Sequence, residues 1–387
     1  MSERTLLMIP GPIELEPAVT HAMGDRQRGH LDPRFMAAFS RTLKGLRGVF
    51  LAPSAQPFVV AGSGTLAMEL AVANVVEPGE AALVVNTGYF SDRMALILER
   101  YGAQVTHVRA PPGEVPSLDD VKKVLASAPF KVLTVTHVDT STGVLAPVEA
   151  LAALAKEHGA LCVVDGVCSV GAEALRMEDW GVDVALTASQ KALGAPPGLA
   201  VVLAGPRALA AWRARKTPVR SLYLDFGEWL PVHEAYEAEK PAYFATPAVQ
   251  LVSALDVSVA QLLQEGMEPR FARHVRLAKA FRAGMKALEL SFLPARDEVM
   301  AHALSAVRYP KGVDAGLVKA IAAQGVTVAG GLHPQLKATY FRVGHMGAVS
   351  ASDVLAVVGA VERGLAQLGA THDRGRAMAA VERALAL

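Results

Sequence analysis

Cysteine is nearly absent from this sequence. Cys162 and Cys168 are the only two in 387 residues, six positions apart in one apolar stretch, so neither a disulfide framework nor a cysteine-ligated zinc site can be assembled. An excess of charge of one sign is missing too: 38 Lys and Arg stand against 37 Asp and Glu, a formal charge of +1. That balance gives no broad field for a polyanion, which argues against nucleic acid or an anionic membrane surface as the main partner. Nowhere does the chain approach the roughly 18 uninterrupted apolar residues of a membrane span. Met1 to Ile9 has no long apolar run, and Ala384-Leu385-Ala386-Leu387 is not a Ser-Lys-Leu type of address. These absences predict a reducing, cytoplasmic setting. Aromatics make up only 6% of the chain, so one beside a motif carries more information than usual.

What is present is apolar substance, 52% of the chain, enough for two domains with real cores. From about Pro57, short β-branched runs alternate with Ala/Leu-rich stretches of helical spacing. Strands are predicted at Phe58–Val60, Ala82–Val85, Val132–Val138, Leu161–Val164, Val184–Thr187 and Leu199–Leu203, with helices at Thr65–Val76, Met94–Tyr101 and Val148–His158. Continuous apolar strands separated by helices indicate an α/β domain with a mainly parallel sheet covered on both faces. After Thr246-Pro247 the pattern changes to long helices over Val249–Glu265 and Pro269–Leu288. Short strands at Ala303–Val307 and Tyr340–Val343 then mix with helices at Gly316–Gln324 and Ser352–Leu368, the pattern of a smaller α+β domain. Arg374–Leu387 reads as one more surface helix, with Met378, Val381 and Leu385 inward. There is no internal repeat and no low-complexity linker.

In an open parallel sheet, ligands gather at the carboxyl ends of the strands, so polar residues just after apolar runs are the candidates. Gly62-Ser63-Gly64-Thr65 joins a strand to a helix, where it is either a plain turn or a cradle for a phosphate; it lacks the lysine of a Walker A loop. Asp165 directly follows Leu161-Cys162-Val163-Val164. It either caps the next turn or pairs with a protonated ring nitrogen of a cofactor, since a carboxylate in an apolar site needs a cation or a strong donor. Lys191, in Ser189-Gln190-Lys191, is the only basic residue between Arg176 and Arg207, and the Gly194-Ala195-Pro196-Pro197-Gly198 loop follows it. Such a lysine is either an ordinary surface charge or a partly desolvated amine suited to a Schiff base. His137 and Asp139 resemble a metal pair but have no further ligand at suitable spacing, so no metal is expected; Thr140 is the better candidate, as a hydroxyl donor. Arg342, on the strand Tyr340–Val343, is either exposed on an edge or an inward fork for a carboxylate. No Gly-x-Ser-x-Gly elbow with a matching acid and base is present, which removes the hydrolase reading.

Phosphate cradle, ring-nitrogen carboxylate, Schiff-base lysine, hydroxyl donor and carboxylate clamp together form what pyridoxal phosphate needs. From Ile9-Pro10-Gly11-Pro12 to Gly347 the chain resembles the class V, fold-type I aminotransferases of the alanine:glyoxylate and serine:pyruvate group, most closely the fungal alanine:glyoxylate type. The resemblance is carried by Ala61-Gly62-Ser63-Gly64-Thr65, Val135 to Gly143, Val163 to Ser169, Ala185 to Gly198, Ala242 to Pro247 and Arg342 to Gly347. It implies a large cofactor domain over 21–262 around a mainly parallel seven-stranded sheet sandwiched by helices, a small C-terminal α+β domain over 263–387 and an N-terminal arm over 1–20.

The resemblance further implies that Lys191 carries the Schiff base and that Asp165 pairs with the pyridine nitrogen. Ser63, Gly64, Thr65 and Gln190 would hold the phosphate, Phe90 would stack on the ring, Thr140 would meet the ring hydroxyl, and Val167 would pack on the opposite face. Tyr243 and Thr246 would reach the phosphate of a second subunit, making the functional unit a homodimer. Arg342 would clamp the substrate α-carboxylate, with Gly11, Gly29 and His30 bordering the substrate pocket. The implied reaction is a ping-pong transfer from L-alanine, or possibly L-serine, to glyoxylate, giving glycine and pyruvate from alanine. Serine:pyruvate and ureidoglycine:glyoxylate transamination are the alternatives within the fold. A cysteine desulfurase is excluded because no cysteine lies downstream of Cys168, and a non-catalytic relative would have lost Lys191 or Arg342.

Overall fold

The structure is a computed structural model that describes residues 5–370 and 373–386. Residues 1–4 of the expected arm and Leu387, at the end of the sequence read above, lie outside the described residues. Seven strands form the main sheet: β1 (Gln56–Ala61), β2 (Ala81–Asn86), β3 (Gln104–Arg109), β4 (Val132–Thr136), β5 (Leu161–Asp165), β6 (Val184–Ala188) and β7 (Leu199–Ala204). Their spatial order is β1-β7-β6-β5-β4-β2-β3, and β7 alone runs antiparallel to its neighbours. Six of the strands are buried along their whole length or all but one residue, because helices cover both faces; this is why they read as uninterrupted Val/Leu/Ala runs. One apolar cluster fills each side, with Leu43, Leu133 and Val201 in one and Ala71, Val163 and Phe226 in the other.

The helices used below are α1 (Pro33–Val49), α2 (Gly64–Val75), α3 (Tyr89–Arg100), α4 (Phe226–Glu237), α5 (Val249–Glu265), α6 (Met267–Ala287), α7 (Ala351–Gln367) and α8 (Arg376–Ala386). Helix α3 begins five residues before the predicted Met94, and the cause is tertiary. The Asp139 carboxylate accepts from the N–H groups of Phe90 (3.1 Å) and Ser91 (3.5 Å), while Ser141 Oγ accepts from that of Tyr89 (3.1 Å). A cap supplied by residues about fifty positions away leaves no local signature. The predicted strand through Val138 ends at Thr136, and Val138–Asp139 turns to pair with Val144–Leu145. Helices α1 and α4 and strand β3 were not anticipated. Strand β3 lies at the sheet edge with Gln104, Thr106 and Arg109 exposed, and α4 contains Pro231 yet docks by stacking Phe226 on Phe58, with ring centroids 4.1 Å apart.

A three-stranded antiparallel sheet follows, ordered β8 (Leu304–Arg308), β10 (Tyr340–Gly344) and β9 (Ala329–Gly330), and it packs with α6, α7 and α8 on a separate core. Helix α8 is more than a surface strip. Ala377 and Val381 are fully buried, and Gly284 of α6 admits them, since a Cβ there would sit 2.8 Å from Val381 Cγ2. Met378 and Leu385 are half-buried on the same core. No helix among the described residues is long and apolar enough to cross a membrane.

The two bodies of packing are latched by Glu173, in the turns after β5. Its buried carboxylate accepts from the N–H groups of His302 and Ala303 (2.9 Å for the latter), and His302 Nδ1 lies 2.8 Å from its second oxygen. Burial alone raises a carboxyl pKa, but the bonds and charge of His302 outweigh it and hold Glu173 below its ordinary 4.5. A depressed carboxylate stabilises the fold above the unfolded pKa, and that contribution is lost as pH falls through the folded value. Glu173→Gln should therefore lower the urea midpoint by the equivalent of about 3 kcal/mol at pH 7. Its deficit relative to wild type should shrink once the pH falls below the folded pKa; equal midpoints at pH 7 would contradict the latch.

Candidate active site

The loops after β1, β2, β4, β5 and β6 all open on one edge of the sheet. Register fixes this: Asp165, at the end of β5, pairs with Thr136 at the end of β4 and with Leu186 in β6. The cleft there, about 270 Å3, is lined by Gly11, Ser63, Gly64, Thr65, Phe90, Thr140, Asp165, Val167, Gln190 and Lys191 among the predicted residues. Two larger clefts, of about 340 and 450 Å3, lie elsewhere and contain none of them. Volume does not single out this site; the chemistry of its walls does.

Lys191 is half-buried in the wall of the cleft. Its Nζ donates to the Pro10 carbonyl, and a Cβ on Gly11, whose φ of +112° suits glycine, would lie 2.5 Å from Lys191 Cδ. Burial lowers the lysine pKa; the Arg342 charge adds to the fall, while Cys168 and Asp165 oppose it. The opposite shift occurs at Asp165. Burial pushes its carboxyl up to about 7 and the Asp139 charge adds to the rise, against a bond from Val167 N–H at 3.0 Å. A base made less basic and an acid made less acidic, both at the end of one sheet, are the mark of a site built for proton work.

The predicted phosphate loop is the N-terminus of α2. Ser63 is its cap residue, yet its hydroxyl makes no capping bond, which leaves it and the first helical N–H groups available to an anion. A Cβ on Gly64 would lie 2.9 Å from Val167 Cγ2 and 3.5 Å from Ala188 Cβ, so the cradle admits backbone and little else. Gln190 Oε1 is buried without a hydrogen-bond partner. His137 and Asp139 are assigned separate tasks. His137 meets Trp180 edge to face and is pushed down to about 4 by burial, while Asp139 caps α3.

Arg342, Gly29, His30, Tyr243 and Thr246 do not line the cleft. Arg342 stands just beyond Thr140, donating Nε–H to the Gly330 carbonyl (2.9 Å) and Nη1–H to the Thr140 carbonyl (3.1 Å), which orients its fork beside the cleft. His30 and Tyr243 form a ring pair on the surface, centroids 5.3 Å apart, and Tyr243 is 64% exposed with its hydroxyl 3.4 Å from that of Thr246. Met68, Arg93, Val138 and Cys168 are wall residues that the sequence reading did not propose. Arg93 follows the predicted Phe90 by one helical turn, a signal that becomes visible once α3 is known to start at Tyr89.

Behind the cleft, the α6 residue Arg270 is buried with its fork on the segments that follow Asp165 and Lys191. It donates to the carbonyls of Gly171 (2.7 Å) and Ala192 (2.9 Å) and is neutralised by Glu265 at 2.7 Å. One turn on, His274 Nδ1 lies 2.7 Å from the Arg270 carbonyl and its Nε2 accepts from the Gly347 N–H at 3.0 Å, so the Arg342 strand is tied to the same helix.

Pyridoxal phosphate fits these residues: the uncommitted Ser63 hydroxyl and open helix N–H groups at one end, a buried carboxylate and a half-buried amine at the other. Gly64→Ala should cut retention of the cofactor at least tenfold, read by dialysis and absorbance, with far-UV circular dichroism unchanged. Unaltered retention would remove the phosphate from this end.

A family model described as class-V aminotransferase matches residues 18–355. Alanine–glyoxylate aminotransferase 1 of Saccharomyces cerevisiae is 40% identical over 356 residues, covering 88% of this chain and 91% of the yeast protein. L-aspartate–glyoxylate aminotransferase of Paracoccus denitrificans is 33% identical over 388 residues, 99% of this chain and 96% of that protein. The solved structure of ureidoglycine-glyoxylate aminotransferase from Bacillus subtilis is similar with a TM-score of 0.92 at 27% identity, covering 100% of this chain and 99% of that one.

Proposed function

Because the chain belongs to the class-V aminotransferases, whose cofactor is pyridoxal phosphate, we propose that it transfers the amino group of L-alanine, with L-serine as a second donor, to glyoxylate. Glycine and, from alanine, pyruvate are the products. The observation that carries this substrate pair is the 40% identity to the yeast alanine–glyoxylate enzyme, against 33% to the aspartate–glyoxylate one. The walls agree with a small donor: Gly11, Pro12, Val138 and Cys168 line the cleft with Lys191. Among the described lining residues Arg93 is the only cation besides that lysine, and its bond to Thr65 holds it at the phosphate-loop end of the cleft.

Bound in the cleft, the cofactor supplies an electron sink for negative charge developing at the substrate Cα. The chain's residues then have distinct tasks. Asp165 keeps the ring nitrogen protonated, and the Val167 N–H holds the carboxylate that does so. Phe90 and Val167 confine the ring, Thr140 meets its hydroxyl, and Ser63, Gly64, Thr65 and Gln190 fix the phosphate. Arg342 grips the substrate carboxylate, its fork already oriented by two backbone carbonyls. Lys191, a weakened base beside Cα, removes the Cα proton and later returns it. Gly11 leaves room for that lysine to move. Tyr243 and Thr246, exposed here, complete the phosphate site of a second copy, so the working unit is a homodimer, and Gly29 and His30 border the substrate pocket. The setting we infer is cytoplasmic.

L-Alanine should bleach the visible absorbance of the bound cofactor, glyoxylate should restore it, and Lys191→Ala should lower turnover by at least about a hundredfold. Turnover surviving in Lys191→Ala would overturn the mechanism. Recovery with pyruvate but not glyoxylate would overturn the acceptor.

A further inference from the structure

The phosphate end of the cleft is short of positive charge. A phosphate ester carries about −1.5 to −2 at neutral pH, whereas Ser63, Gly64, Thr65 and Gln190 offer only neutral donors and the helix N-terminus about half a charge. Lys191 is committed to the reacting carbon. The one guanidinium among the described residues lining the cleft is Arg93.

Arg93 is half-buried one turn into α3, and no carboxylate among the described residues lies within ion-pairing distance of it. What holds it is neutral. Nη1–H donates to Thr65 Oγ1 (2.9 Å), Nη2–H donates to the Tyr89 hydroxyl (3.2 Å), and the guanidinium carbon lies 4.9 Å from the Phe90 ring centroid and 5.1 Å from that of Tyr89. Two consequences follow from the bond to Thr65. The hydroxyl oxygen is used as an acceptor, so its own O–H is left to donate elsewhere, and Thr65 faces the cleft. A donor polarised by a neighbouring cation makes a stronger bond to an anion. The aromatic faces fix the guanidinium without neutralising it, because a ring quadrupole leaves the net charge in place.

We propose that Arg93 is a phosphate-positioning residue of this cleft, supplying the counter-charge to a bound phosphate ester through the Thr65 hydroxyl and so making the chain discriminate phosphorylated from unphosphorylated pyridoxal. This rests on the cofactor reading above. The bond from Arg93 gives Thr65 a task its backbone alone does not perform.

The test is equilibrium binding to the apoprotein, read by absorbance, with pyridoxal phosphate and with pyridoxal. Arg93→Gln should weaken the phosphorylated ligand by tenfold or more and pyridoxal by less than about twofold, with Arg93→Lys recovering part of the loss. Thr65→Val should produce the same selective loss, and the double variant little more than Arg93→Gln alone, because both act on one bond. Equal weakening of both ligands, or none, overturns the proposal. Should Arg93→Gln fail to fold, phenylglyoxal labelling of wild-type Arg93 decides. Protection by pyridoxal phosphate but not by pyridoxal supports the assignment, and equal protection overturns it. A wild-type apoprotein that does not prefer pyridoxal phosphate to pyridoxal would remove the cofactor reading itself, and the proposal with it.

Discussion

A carboxylate buried at the end of a central strand is the constraint from which the rest of this site follows. Asp165 ends β5 between two other strands, is nearly inaccessible to water and has its pKa raised to about 7 by burial. A second buried carboxylate, Asp139, adds its charge nearby. An uncompensated charge in such surroundings costs several kcal/mol, so the site is stable either with a proton on Asp165 or with a cation against it. In the function proposed above, a protonated pyridine nitrogen would meet that need, and the same contact would keep the ring able to withdraw electrons.

Placing Lys191 against such a carboxylate requires several elements to agree. The lysine follows β6, the neighbour of β5 in the sheet, and Arg270 grips the backbone just after Lys191 and the turn beyond Asp165 with one fork. His274 and Gly347 tie in the strand that bears Arg342, and Glu173 anchors the second body of packing to the first. Lys191 and the strand that bears Arg342 therefore share a brace in α6.

Much of this arrangement can be read from residues alone, and what cannot has physical reasons. The central strands were legible because burial on both faces demands unbroken apolar runs; β3 was not, because Gln104, Thr106 and Arg109 are exposed and break its apolar run. Helix α3 starts where Asp139 and Ser141 cap it, and residues so distant in sequence give no local signal. Asp165 and Lys191 each kept a bland alternative by sequence, a turn cap and a surface charge, and it is the fold that brings them into one cleft. Arg342 was ambiguous by sequence, and the carbonyls of Thr140 and Gly330 decide its direction. Arg93 escaped notice because its place in the cleft depends on the start of α3 and on Thr65. The donor amino acid is the least legible feature of all, since a methyl and a hydroxymethyl group differ by only about 1–3 kcal/mol in a pocket of this kind.

The central claim is that the charge on Asp165 is held off in the empty cleft and released by the cofactor ring. Infrared difference spectroscopy on protein labelled with carboxyl-13C aspartate tests it directly, comparing apoprotein at pH 6 before and after addition of pyridoxal phosphate, with Asp165→Asn as the control. The account predicts that a protonated-carboxyl band disappears on binding while a carboxylate band grows, and that both changes are absent in Asp165→Asn. An Asp165 carboxylate already ionised in the apoprotein at pH 6, or a carboxyl still protonated after binding, would contradict it.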